Sequence, residues 1–253
     1  MDDEALLELA ARLARQAGQA IMAIRTAGFA VGRKTDRSPV TAADHAAEAL
    51  IVEGLREAAP TIPVIAEEEV EAGIAPAPAE EYWLVDPLDG TRDFAAGRPH
   101  FAVNIGLVRR GRPVLGAVAL PFTGEVFAGR IGAGAWKEDA AGRRRIAVRP
   151  PPAEGLTVMV SFHHSEDPRL SCFLAAYPVR EVIRIGSAEK LCRVAEGAAD
   201  LYPRFGTTME WDTAGPEAVL LAAGGRFTRL DGSPMPYGKP GFRNEAFIAR
   251  GGA

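Results

Sequence analysis

Trp83-Leu84-Val85-Asp86-Pro87-Leu88-Asp89-Gly90-Thr91 runs an apolar segment straight into two carboxylates and a hydroxyl. The first residues read as a strand and the last as its carboxyl end, a good place for a ligand. Pro87 fixes one backbone angle and Gly90 permits a tight turn, so Asp86 and Asp89 can converge with the Leu88 carbonyl presented between them. Such hard oxygen donors suit magnesium, which takes carboxylates, carbonyls and water. A plain polar turn after a strand explains the same letters, and the stretch alone leaves both readings open.

Upstream, a second short apolar run at 62–65 leads into Glu67-Glu68-Glu69, whose like charges repel unless solvent or a cation compensates. An Ala/Pro/Glu-rich segment from Glu71 to Glu81 separates the two runs and reads as a mobile surface loop. Downstream, apolar runs at 101–108, 113–120 and 125–128, punctuated by Arg110-Gly111 and Thr123-Gly124, read as an antiparallel meander. Leu6, Leu9, Ala10, Leu13, Ala17, Ile21 and Ile24 recur with helical spacing, predicting an amphipathic helix over 4–26 that ends near Gly28. Thr41 reads as the N-cap of a second helix that Pro60 stops.

Beyond Pro150-Pro151-Pro152 the character changes to strand-like 158–161, helix-like 167–176, strand-like 179–185, helix-like 187–197 and strand-like Leu201-Tyr202. The expectation is a layered α/β fold. Residues 1–150 form an N-terminal α+β region with most of the candidate ligands, and 151–253 a C-terminal α/β region with Asp212. Three prolines can join two sheets but cannot continue a strand ladder.

The chain has 253 residues, 47% of them hydrophobic, and a net charge of −4, enough for a sizeable core and the wrong sign for a basic nucleic-acid binder. The compact basic run Arg143-Arg144-Arg145 reads as a solvated hairpin turn. No apolar stretch approaches membrane-spanning length, and Met1-Asp2-Asp3-Glu4 has the wrong charge for a targeting signal, so a cytoplasmic protein is expected. Cys172 and Cys192 are too few and too scattered for a disulfide framework and are expected as buried, reduced thiols.

A third acidic element, Trp211-Asp212, opens a helix predicted over 212–223, where Asp212 either caps the N-terminus or turns toward a metal. Three acidic strand or helix ends, together with Thr91 and with Asp44 in Pro39-Val40-Thr41-Ala42-Ala43-Asp44, suit metal-assisted phosphate hydrolysis. Thr91 and Asp44 are then placed to orient the attacking water. His45, His100, His163 and His164 lack metal-ligand spacing, and no Ser-His-Asp or Cys-His arrangement stands out.

Glu67-Glu68, Asp86-Pro-Leu-Asp-Gly-Thr91 and Trp211-Asp212-Thr-Ala214 together resemble the lithium-sensitive, magnesium-dependent inositol monophosphatase superfamily. Within it the chain looks most like the CysQ-type 3′(2′),5′-bisphosphate nucleotidases of sulfur metabolism, from the first helix to Pro240-Gly241-Phe242-Arg243. The stretches Ser38–Asp44 and Leu201-Tyr-Pro-Arg-Phe-Gly206 are the most telling besides the opening one. The resemblance implies an αβαβα sandwich, a monomer or homodimer, and two or three Mg2+ ions. It implies Glu67, Asp86, the Leu88 carbonyl, Asp89 and Asp212 as metal ligands, Glu68 as an acid behind them, and Thr91 with Asp44 as activators of water. The amides around Gly90-Thr91 would receive the scissile phosphate, and a helix beginning near Gly186-Ser187 would face the rest of the substrate beside Asp212.

Arg204 stands where inositol-specific relatives usually have a glutamate. A guanidinium fork matches a second phosphate better than a neutral polyol, and Lys190 adds positive charge near it. The competing account of Arg204 is a surface arginine held by a neighbouring acid such as Glu210. Ala66, Arg92-Asp93, Gly215-Pro216 and Phe162-His163 depart from the family pattern, and Pro216 is expected in the first turn of its helix. The function implied is removal of the 3′-phosphate of adenosine 3′,5′-bisphosphate, a small phosphorylated metabolite. Alternatives are a phosphatase of inositol monophosphate or fructose 1,6-bisphosphate, and a catalytically silent metabolite-binding homologue.

Overall fold

A computed structural model describes residues 1–33, 39–164 and 167–252; Ser38, which opens the Ser38–Asp44 stretch, lies outside the described residues. In chain order the elements are α1 (Asp3–Ala27), β1 (Val31–Arg33), β2 (Pro39–Thr41), α2 (Ala42–Ala58), β3 (Val64–Ala66), α3 (Glu67–Glu71) and β4 (Glu81–Asp89). Then come α4 (Thr91–Ala95), β5 (Ala102–Arg109), β6 (Arg112–Leu120), β7 (Glu125–Arg130), β8 (Gly134–Asp139), β9 (Gly142–Ile146) and β10 (Leu156–Ser161). The chain continues with α5 (Pro168–Leu174), β11 (Val179–Ile185), α6 (Glu189–Ala195), β12 (Leu201–Arg204), β13 (Thr208–Met209) and α7 (Glu210–Ala222). It finishes with β14 (Arg226–Arg229), β15 (Arg243–Asn244) and β16 (Phe247–Arg250).

Strands β3 to β9 follow one another across a seven-stranded sheet, parallel only between β3 and β4. On its centre the strand period sorts side chains to opposite faces. Trp83 and Val85 enter the core shared with α1 and α2, whereas Tyr82 and Leu84 enter the core shared with α6 and α7. Beyond α6 and α7 lies a five-stranded sheet in the order β11-β10-β12-β16-β14. Leu170 and Phe173 of α5 cover its far side through a third cluster with Val158, Val160 and Leu201. The layers therefore run α1/α2, large sheet, α6/α7, small sheet, α5: the αβαβα sandwich.

The first two helices begin and end where their sequence signals lie. Asp2 caps α1 by accepting from the Ala5 amide at 2.8 Å, and Gly28 closes it with φ +85°. Thr41 caps α2 in a capping box with Asp44.

Several expectations are corrected. Arg143-Arg144-Arg145 lies inside edge strand β9, not in the turn before it. There Arg143 pairs with Glu8 and Glu138 and stacks over Trp136, and Arg144 pairs with Asp139, so the run knits the sheet edge to α1. Cys192 is buried but Cys172 is exposed, and both thiols are free. The helix expected from residue 187 starts at Glu189, because Ser187 takes φ +51° and closes a turn instead. Pro216 falls inside α7, beyond its first turn. Its missing N–H is the one that would bond the Asp212 carbonyl, so helix integrity there rests on packing.

Candidate active site

The opening stretch supplies the site through a change of register. Asp86 pairs with Asn104 and Asp89 with Ala102, so β4 carries one extra residue against β5. In a regular strand two residues separated by this odd interval point to opposite faces; the bulge restores them to one side. Pro87 sits within the bulge, where the ladder needs no donor from it. Gly90 then takes φ +94°, and a β-carbon there would lie 2.8 Å from the His100 carbonyl. Only glycine makes this corner without strain. Behind it α4 starts at Thr91, and the first amides of a helix have no intrahelical acceptor.

Glu67 arrives beside them because β3 is parallel to β4 and ends at Ala66, level with Val85. Asp212 arrives from the opposite layer. Helix α7 rests directly on β5 and β6 through Gly215: a β-carbon on Gly106 or Gly116 would lie 2.5 Å from Gly215 backbone atoms. This contact lowers the third residue of α7 to the level of the strand ends. Asp212 is not the N-cap, which is Met209; its carboxylate accepts from the Met209 amide at 2.8 Å while lining the cleft.

Two adjoining cavities form the cleft. Glu67, Asp86, Leu88, Asp89, Thr91 and Asp212 border one of about 470 Å³. Glu67, Asp89, Gly90, Thr91 and Asp212 also border the other, about 300 Å³, together with Gly186, Ser187, Lys190 and Arg204. All the expected metal and substrate residues therefore face one continuous space. Glu68 and Asp44 lie behind it. Glu68 is buried, and its amide donates to Glu48 at 2.8 Å. Glu48 was missed in the sequence; burial pushes its carboxyl up to about 7.

Asp44 is 1% exposed and holds two neighbours. One oxygen accepts from the Thr41 amide at 2.8 Å and hydroxyl at 2.7 Å; the other stands 3.1 Å from the Thr91 hydroxyl. That hydroxyl is also 2.9 Å from the Leu88 carbonyl. It has a single proton, so giving it to Asp44 leaves the oxygen's lone pairs for a water.

The fit to a cation is electrostatic. Burial pushes the Asp212 carboxyl well up, and the charges of Asp89 and Glu67 push it further. Burial also raises Asp89, against the pull of Lys190 and the Ala188 amide, which donates to it at 2.5 Å. Carboxylates raised by burial and by neighbouring acids need positive charge in order to ionise, which a divalent ion supplies. Oxygens of Asp86, Asp89 and Asp212 meanwhile accept from backbone amides, and among the described residues no three such side chains already close a cage.

On the substrate side, Lys190 is buried, bonds the Ser187 carbonyl and lies 5.2 Å from the Tyr202 ring centre. Burial lowers its ammonium to about 8. Arg204 donates to the Gly206 and Thr207 carbonyls at 3.2 and 3.1 Å. Glu210, named as its competing partner, is instead fully buried against Lys239 and the Gly238 amide, so that acid does not hold Arg204. The rim holds residues that sequence reasoning left without a role: buried Asp93 bonds both Arg98 at 2.9 Å and His163 at 3.0 Å. Arg98 also stands 4.6 Å from the centre of the exposed Phe162 ring.

This layered fold with a carboxylate-lined cleft between its sheets is that of a phosphatase class. The inositol monophosphatase family model matches residues 2–250, and the chain belongs to that family of metal-dependent phosphatases. The 3′(2′),5′-bisphosphate nucleotidase CysQ of Salmonella typhimurium is 42% identical over 248 residues, covering 94% of this chain and 98% of its own. The crystal structure of CysQ from Bacteroides thetaiotaomicron, a bacterial member of the inositol monophosphatase family, matches with a TM-score of 0.83 at 30% identity, over 99% of this chain and 98% of that one. An inositol monophosphatase from Anabaena matches with a TM-score of 0.79, also at 30% identity, over 98% and 91%. Among the described residues no helix is long and apolar enough to cross a membrane.

Proposed function

We propose that this chain is a magnesium-dependent, lithium-sensitive 3′(2′),5′-bisphosphate nucleotidase of the cytoplasm that removes the 3′-phosphate of adenosine 3′,5′-bisphosphate. The observation that carries the substrate is the pairing of Lys190 and Arg204 on one wall of the cleft that Asp89 and Asp212 share. Two cations beyond the reacting phosphate suit a second phosphate, and a polyol has no charge to answer them.

Glu67, Asp86, the Leu88 carbonyl, Asp89 and Asp212 would hold two or three Mg2+ ions. When bound, the metal supplies acidity to water and neutralises charge on the phosphoryl and leaving oxygens. The protein's own part is orientation. Thr91 gives its proton to Asp44 and accepts one from the attacking water, aligning that water with phosphorus. As the new P–O bond forms, the ester P–O bond breaks and the leaving ribose oxygen takes a proton from a second water, which balances the one the attacking water gives up. Amides opening α4 receive the phosphate that remains, while Ser187, Lys190 and Arg204 hold the nucleotide.

The test is phosphate release from adenosine 3′,5′-bisphosphate, inositol 1-phosphate and fructose 1,6-bisphosphate, each with magnesium and with chelator. Preference for the first is expected, together with a selective loss on that substrate in Arg204→Glu. Equal losses on all three would remove the role of Arg204. Activity on none would leave a binding homologue.

A further inference from the structure

Helix α7 leads away from the cleft, and its C-terminal half walls a second cavity of about 650 Å³, larger than the 300 Å³ space holding Lys190 and Arg204. Phosphate hydrolysis uses none of its residues. Val114, Ile131, Leu221 and Phe227 give it apolar sides, and Ile131 is 40% exposed. Its lining carries Arg109, Arg112, Arg130 and Arg226 against two acids, Asp3 and Glu217. Arg109 at the edge is already held by Asp3 and Glu81, at 2.9 and 2.6 Å. Arg112, Arg130 and Arg226 are not matched in this way.

Arg226 is exposed, and its side chain makes no hydrogen bond or ion pair with a described residue. Arg112 is exposed and gives one bond, at 3.2 Å, to the Met235 carbonyl. Arg130 is 3.5 Å from Glu4, yet its buried Nε has no hydrogen-bond acceptor among the described residues. Glu217, the acid on the cavity floor, is 2% exposed and accepts from the Tyr237 hydroxyl at 2.6 Å. Burial pushes its carboxyl up to about 8, so near neutral pH it is mostly uncharged and leaves Arg112 and Arg226 without an acidic partner among the described residues.

We propose that this cavity is a second ligand site, for a small organic anion whose acidic head meets Arg112, Arg130 and Arg226 while its apolar body rests on Leu221 and Phe227. Guanidinium forks match planar acids, and the volume lies in the range of small-molecule sites. Concave walls favour such a ligand over a flat macromolecular surface. Its occupant would touch the helix that carries Asp212 into the catalytic cleft. A hydrogen-bond chain runs the same way: Glu217 to Tyr237, and Tyr237 to Thr213 at 3.0 Å, next to Asp212.

The probe is 1-naphthoate, titrated calorimetrically into the magnesium-loaded full chain, with uncharged 1-naphthalenemethanol as control. Naphthoate should bind saturably, and the alcohol roughly tenfold more weakly or worse, as expected when a charge-assisted contact is lost. The double substitution R112Q/R226Q, at exposed positions outside the catalytic machinery, should weaken naphthoate at least about tenfold and leave phosphate release unchanged. Leu221→Trp, which puts an indole ring where the apolar body of the anion would rest, should also weaken binding. No saturable binding, equal binding of acid and alcohol, or undiminished binding to both variants would overturn the proposal. So would loss of binding only in Arg204→Gln, because the anion would then sit in the catalytic cleft.

Discussion

Glu217 gives the fold a pH dependence that can be worked out from its surroundings. It lies on α7, 2% exposed, and burial outweighs the hydrogen bond from Tyr237 in moving its carboxyl from 4.5 to about 8. Below pH 4.5 it is protonated in both folded and unfolded chains and exerts no pH-dependent effect. As pH rises the unfolded chain ionises first, so stability falls through the interval and levels off above about 8. At about 1.4 kcal/mol per pH unit, the loss attributable to this group grows by about 3 kcal/mol between pH 5.5 and 8.5. Glu217→Gln keeps an oxygen for the Tyr237 hydroxyl and cannot ionise. The assay is urea unfolding of both proteins at pH 5.5, 7 and 8.5, followed by circular dichroism. The variant should gain on the wild type steadily as pH rises. A stability difference that stays constant from pH 5.5 to 8.5 would refute the reasoning, since every other titrating group is common to both chains.

Gly90→Ala places a β-carbon 2.8 Å from the His100 carbonyl at φ +94°. It should destabilise by about 1–3 kcal/mol and depress magnesium-dependent turnover, so wild-type melting and phosphate release would show that the corner can relax. Asp44→Asn removes the negative charge and leaves a single oxygen for Thr41 and Thr91 to share, with an amide donor in place of the other, and should lower kcat by about 10²–10⁴ with little change in KM. Thr91→Val should lose about as much, and the double variant little more, because the pair acts as a unit. Additive losses would mean that the two residues act separately.

Helices α1 and α2 and the meander were legible because caps, turns and periodicity agree there. The acids were legible by type, as was their gathering at element ends. What could not be read was the bulge at Pro87-Leu88, since the extra residue is defined only against β5. Edge strand β9 was hidden for a similar reason. Three arginines read as a turn until their partners Glu8, Glu138 and Asp139 turn them into a clasp. Glu48 and Asp93 carry no local signal, because each owes its place to burial against a distant segment. Arg204 depended on the whereabouts of Glu210, which the chain brings within a few residues and the fold sends to Lys239.

The same logic explains how α7 tolerates Pro216. A proline inside a helix ordinarily costs about 3 kcal/mol, through a lost hydrogen bond and a clash one turn back. Here the turn behind it begins with Asp212, whose side chain accepts from the Met209 amide and holds the start of the helix from outside the ladder. Immediately before Pro216, Gly215 presses its backbone onto Gly106 and Gly116, fixing the axis by contact with the sheet. The helix is therefore positioned by packing at 215 and by the side chain at 212, on either side of the missing bond. That arrangement leaves the Asp212 carbonyl without its usual helical donor, at the edge of a cleft whose chemistry calls for oxygen.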